Sequence, residues 1–214
     1  MENKKCIVLM WILSLLPLVM VALAMPWLPE RVPTQWGFDG QVSYGGKGTL
    51  WLIAALGPVL ALLFQFLPKL DPKRENYDKF RGFYETFAAL FPLFPSVVLA
   101  FVLTETFHPG TINVGRAMCA LASLLFLVLG AFMGKVKANW FMGFRTPWAL
   151  SDPDVWNKTQ RLGGWVFFLS GLLNLPLALL APEKVFFSVL MGTLFLGVML
   201  TYLMSWKWYR DKQG

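Results

Sequence analysis

The side chains able to do chemistry are few, and their spacing argues against most of the reactions they suggest. Cys6 and Cys119 fall in different apolar runs, near opposite membrane faces, so they read as small buried apolar residues and not as a disulfide. The single His108 stands beside Pro109-Gly110 with no second His at zinc-ligand spacing, which reads as a turn and predicts no metal centre. "GQVSYGGKGT" has the outline of a phosphate loop, but Gln41 takes the place of the first Gly and Gly48 that of the Ser or Thr, and no strand is expected before it. It reads as a flexible lead into the next apolar run. Glu85, Glu105 and Arg116 each lie near the end of an apolar run. Such residues snorkel to an interface, or pair as Glu105 with Arg116, whereas coupled carriers keep charges near the midplane. No catalytic residue and no cofactor are expected.

Polar and aromatic residues collect instead in "NWFMGFRTPWALSDPDVWNKTQRLGG", residues 139–164, where Asn139, Arg145, Trp148, Trp156, Lys158 and Arg161 are the candidate binding residues. Arg145 precedes Thr146-Pro147 and has Asp152 and Asp154 nearby. A guanidinium there can hold a carboxylate or phosphate by two parallel hydrogen bonds, or brace the loop onto helix-end carbonyls. Ser151-Asp152-Pro153-Asp154 is a capping signature, Val155, Trp156, Thr159 and Leu162 share a helical face, and Gly163 supplies a stop. These signals predict a short amphipathic helix over 152–162 lying on the membrane surface, with Trp140, Trp148 and Trp156 at headgroup level. In "LDPKRENYDKF", Asp71 can cap a helix opening on Pro72, Glu75 and Lys79 make an i,i+4 pair, and Tyr77, Phe80, Tyr84 and Phe87 form an aromatic face.

The elements that must position these residues are membrane spans. The chain of 214 residues is 57% hydrophobic, 16% aromatic and only 14% charged, which is not the composition of a soluble domain. A span needs about 20 apolar residues, and six stretches qualify: 6–25, 49–67, 84–104, 114–134, 165–182 and 185–205. The expected fold is an all-α integral membrane protein of six transmembrane helices. Its expected organisation is an N-terminal two-span unit, 1–67, with an outer loop at 26–48, and a four-span unit, 68–214, with inner loops at 68–83 and 135–164. With both termini cytoplasmic, 15 of the 19 Lys and Arg fall inside and only Arg31, Lys47, Arg116 and Lys184 outside, as retention of positive loops requires. The net charge of +7 is then a topology signal and calls for no nucleic acid. "ALAMP" after the first run mimics a signal-peptidase site, yet the run from Cys6 to Met25 is long enough to be an uncleaved anchor. Pro92, Pro95 and Pro176 predict kinks, and Gly130 with Gly134 predicts close helix contact.

Through Asn139, Gly143, Arg145, Thr146, Pro147, Trp148, Leu150, Trp156, Lys158, Thr159, Arg161, Gly163 and Gly164, residues 139–164 resemble the signature of the SdpI family of bacterial membrane proteins. "DPKRENYDKF" is similar to that family's first inner loop. "LPERVPTQWGFDGQVSYGGKGT" is similar to an outer-loop domain of unknown function that accompanies it. Two positions depart: Gln160 and Gln35 stand where a His is expected. The resemblance implies a bacterial plasma-membrane immunity or signalling receptor, not an enzyme. A secreted toxin peptide would meet Trp36, Phe38 and Asp39 outside, and a repressor protein would be held at the inner face. From the residues alone a small-molecule or peptide transporter and a membrane enzyme acting on lipid or peptide stay open.

Overall fold

The computed structural model describes residues 2–37 and 41–213. It is 78% helical. Among the described residues six helical stretches are long and apolar enough to cross a membrane: Lys4–Trp27, Lys47–Leu70, Arg74–Phe107, Val114–Met133, Pro153–Leu180 and Lys184–Arg210. They carry the six spans expected from the apolar runs. Their outer faces are bare hydrocarbon: Leu52, Leu180, Phe195 and Leu196 are each more than 60% exposed. That much free apolar surface is stable only against lipid.

The chain forms two compact units, residues 1–69 with 81–118, and residues 70–80 with 119–214. The body of the third span groups with the first two. The first unit packs α1 (Lys4–Ala24) against α2 (Leu50–Leu70), α3 (Arg81–Leu90) and α4 (Phe94–Phe107). Gly57 lets α2 approach α1 closely, since a Cβ there would strike the Ser14 carbonyl and lie 2.8 Å from the Pro17 ring. Pro92 and Pro95 break the third span as expected, into a 3₁₀ turn at Phe91–Leu93 between α3 and α4. Glu85 is buried at the start of this span, where it accepts the backbone N–H groups of Glu2 at 2.5 Å and Asn3 at 3.1 Å.

Two expectations are corrected. Residues 26–48 hold an antiparallel hairpin, β1 (Arg31–Trp36) with β2 (Val42–Gly46), so "GQVSYGGKGT" is half strand and not a flexible lead. A two-stranded ribbon is marginal alone. Here Leu28 and Val32 anchor it in a buried cluster with Val21, Leu50, Ala54, Leu99 and Val102, a tertiary contact that local patterning does not reveal. The helix expected to open at Pro72 is also not α-helical at its start: Tyr77 and Phe80 lie in a 3₁₀ stretch, Arg74–Phe80, and Tyr84 and Phe87 of α3 pack on Phe64.

The second unit takes up α5 (Val114–Met133) from residue 119 on, and a long loop leads from it to α6 (Pro147–Ser151), α7 (Pro153–Leu180) and α8 (Glu183–Arg210). Asp152 caps α7 as expected, its Oδ1 accepting from Asp154 N at 2.8 Å and Val155 N at 3.0 Å. The helix does not stop at Gly163, however: it is 28 residues long in all and continues as the fifth span. Gly163 and Gly164 are packing glycines. A Cβ on Gly163 would enter the Phe144 ring, and one on Gly164 would lie 2.9 Å from the Gly130 carbonyl. Gly130 and Gly171 make matching close approaches between α5 and α7, so of the expected Gly130 and Gly134 pair Gly130 makes the close contact, while Gly134 has only an ordinary one.

Candidate functional site

The loop between α5 and α6 is irregular, so its backbone polar groups cannot satisfy one another and need side-chain partners or water. Side chains supply them. Trp156 Nε1 donates to the Val136 carbonyl at 2.8 Å, Asn139 Nδ2 to that of Lys137 at 2.8 Å, and Asn76 Nδ2 to that of Ala138 at 2.7 Å. Arg145 donates to the Trp140 carbonyl, Gln160 Nε2 to that of Phe144 at 2.8 Å, and Lys73 Nζ to that of Leu150 at 2.9 Å. The N–H groups are met likewise. Asp71 Oδ2 accepts from Trp140 N at 2.9 Å, Asn139 Oδ1 from Phe141 N at 2.9 Å and Met142 N at 2.6 Å, and Gln160 Oε1 from Phe144 N at 3.0 Å. Each bond is worth about 0.5–1.5 kcal/mol net, but a buried group left unmet costs about 1–3 kcal/mol, so the set acts as a brace.

Glycine makes the tightest turn possible. Gly143 has φ +88°, and a Cβ there would collide with the Gln160 amide oxygen. Beyond it Thr146 caps α6, its Oγ1 accepting from Ala149 N at 3.1 Å while lying 2.5 Å from Ser205 Oγ of α8. Trp148 then packs edge-on against Tyr202, ring centroids 5.0 Å apart.

The structure therefore sorts the predicted residues into two kinds. Asn139 and Trp156, both buried, are internal braces. Trp156 is accordingly not at a headgroup-facing surface as expected. Its place on the helix face was read from periodicity, but the face is covered by the loop of the same unit. Arg145 is exposed apart from its bond to the Trp140 carbonyl. Of the roles open to it, that bond is the brace onto a backbone carbonyl. Asp152 and Asp154 are held by Lys212 Nζ instead, at 2.9 and 2.7 Å. The Lys212 hydrogen bond and the Val155 N–H hold the Asp152 carboxyl below its ordinary value, and the bonds from Asp154 and Asp152 hold the Lys212 ammonium above its own. Lys158 and Arg161, three residues apart on α7, are exposed. Among the described candidates, these two are left free to meet a partner.

At the other loop, Trp36 is half-buried and packs on the apolar cluster, while Phe38 and Asp39 lie outside the described residues. Sequence reasoning missed Lys73, Asn76, Gln160 and Lys212 as structural partners. It also missed the second role of Asp71, whose Oδ1 caps Lys73 N at 2.8 Å while Oδ2 takes the Tyr77 hydroxyl at 3.1 Å and the loop N–H. Only Gln160 had given a signal, as an uncharged amide at a position where a titrating ring is expected.

Six apolar spans and a side-chain-braced loop, among the described residues, define a multi-pass α-helical membrane protein with a built, non-helical segment. Residues 135–205, which contain that segment, match the SdpI/YfhL protein family, and residues 12–57 match a domain of unknown function, DUF1648. The chain is 23% identical to Immunity protein SdpI of Bacillus subtilis (strain 168) over 189 residues, 88% of each chain. The resemblance carried by residues 139–164 is thus upheld. No solved structure matches the chain.

Proposed function

We propose that this protein is a non-enzymatic immunity-type protein of the bacterial plasma membrane. It would protect against a secreted toxin peptide met at the 26–48 loop and hold a repressor protein at the opposite, basic face. The observation that carries this reading is the match to an immunity protein along nearly the whole of both chains, including the braced loop. The geometry supports it in one respect. The loop's polar atoms are directed at its own backbone, which makes a rigid surface from which Lys158 and Arg161 of α7 project, suited to recognition and not to turnover.

The test is to express the chain in Bacillus subtilis cells lacking Immunity protein SdpI and mix them with toxin-producing cells. Survival restored to at least ten times that of the empty vector is expected. Phe38→Ala with Asp39→Ala should abolish protection, whereas Lys158→Ala with Arg161→Ala should spare it and lose recruitment of the repressor. Survival no better than the empty vector, at normal expression and membrane insertion, would sink the immunity reading.

A further inference from the structure

The second unit contains a cleft of about 570 Å³ that the immunity reading leaves unused. We propose that this cleft binds a phosphate-bearing anion. Its polar lining is Lys73, Glu75, Asn76, Lys79, Lys137 and Asn157, three ammonium groups against one carboxylate. Two of the ammonium groups are positioned before any ligand arrives: Lys73 Nζ donates to the Leu150 carbonyl at 2.9 Å and Lys79 Nζ to Asn76 Oδ1 at 2.8 Å. An ammonium has three N–H donors, so each keeps two for a ligand.

The walls are held as well. Asn76 bonds the Ala138 carbonyl at 2.7 Å, and so ties the 70–80 stretch to the long loop across the cleft. Trp156, also in the lining, has its Nε1 on the Val136 carbonyl and offers the cleft carbon only. Lysines act on phosphate as point charges and gain most where several converge on one multiply charged group. Volume beyond the needs of inorganic phosphate, with proline, alanine and indole carbon in the lining, fits a phosphate that carries a short organic group. Two sources share that chemistry: the headgroup of an anionic phospholipid and a small soluble phosphate ester. The inference stands whether or not the protein confers immunity.

Native mass spectrometry of the full chain in uncharged detergent tests it, with short-chain phosphatidylglycerol, short-chain phosphatidylcholine, glycerol 3-phosphate and a Glu-rich peptide as probes. Lys79→Gln with Lys137→Gln, and separately Asn157→Glu, should each weaken phosphatidylglycerol binding at least tenfold. Lys4→Gln with Lys5→Gln should leave it unchanged. Phosphatidylglycerol binding alone makes the source a lipid headgroup, and glycerol 3-phosphate binding in addition makes a soluble ester sufficient. If one cleft variant fails to fold, the other decides. The proposal is overturned by wild-type affinity in a folded cleft variant, by equal loss in the Lys4 and Lys5 control, by equal binding of both lipids with glycerol 3-phosphate inactive, or by binding of the acidic peptide alone.

Discussion

Gln160 holds Phe144 as a neighbouring strand would, its Oε1 accepting the Phe144 N–H at 3.0 Å and its Nε2 donating to the Phe144 carbonyl at 2.8 Å. Both bonds come from one planar amide that is fully buried. Neutral His also has one donor and one acceptor, but on opposite sides of a ring, and cannot meet the N–H and C=O of a single residue together. Gln160→Leu strands two partly buried backbone groups and should cost about 1–3 kcal/mol. Thermal unfolding in detergent should show a lower midpoint, and limited proteolysis should cut first between Trp140 and Thr146. An unchanged midpoint would mean that water replaces the amide.

Gly143 should prove irreplaceable for two reasons at once, its φ of +88° and the Gln160 amide lying where a Cβ would go. Gly143→Ala is expected to cost more than about 1 kcal/mol. Gly82, inside α3, has nothing within 4 Å of a built Cβ, so Gly82→Ala should be neutral or stabilise slightly. Equal unfolding midpoints for the two variants would contradict the turn described.

Between α5 and α7 the glycines divide in the same way. At Gly130 a Cβ would lie 2.6 Å from the Gly164 carbonyl and 2.7 Å from Phe168 Cα, so Gly130→Ala must part the helices, at about 1–3 kcal/mol. At Gly134 the nearest atom is Arg161 Cγ at 3.5 Å, an ordinary contact, and Gly134→Ala should be tolerated. Chemical denaturation of both variants gives the comparison, and a larger loss at Gly134 would refute it.

The Lys212 clasp on Asp152 and Asp154 has a definite pH window. The Asp152 carboxyl is depressed, so its contribution is present above 3.8 and fades as pH falls through its lower folded value. The Lys212 ammonium is raised, so its contribution is complete below 10.5 and fades as pH rises through its higher folded value. Across neutral pH the clasp should therefore not respond to pH. Both partners are solvated, so high salt should loosen it. A spin label at Gln213 should gain mobility in 1 M salt or in Lys212→Gln, and show none of that gain between pH 6 and 8. A transition inside that range would rule the pairing out.

Orientation is open to direct measurement. In a Cys6→Ser, Cys119→Ser background, a membrane-impermeant thiol reagent applied to cells should modify a Cys placed at Gln41 and spare one placed at Asp152. Modification at 152 from outside would reverse the charge-based topology.

What was legible in the sequence was what is local. Each span announces itself because lipid demands about 20 apolar residues in succession. Pro92 and Pro95 mark their own helix break, and Asp152 its own cap. The braced loop was not legible, because Asp71 meets Trp140 and Asn76 meets Ala138 across 69 and 62 residues. Residue types show that an amide or carboxylate needs a partner but not which carbonyl or N–H it finds. Gly163 failed for the same reason: its neighbour is the Phe144 ring, whereas the stop was inferred from the residues beside it.

The 70–80 stretch belongs to a unit whose other members begin at residue 119. During synthesis it leaves the ribosome well before them. Asp71 and Asn76 must wait 69 and 62 residues for Trp140 and Ala138, and at roughly 5–20 residues per second that is roughly 3–14 s. For that interval Asp71 has only its local partners, the Lys73 N–H and the Tyr77 hydroxyl, and the Asn76 Nδ2 has only solvent. The stretch has to remain in water while the body of the third span enters the bilayer behind it. The unit it belongs to cannot close before the long loop has emerged, so a chain truncated before Trp140 would leave this stretch with no place to dock.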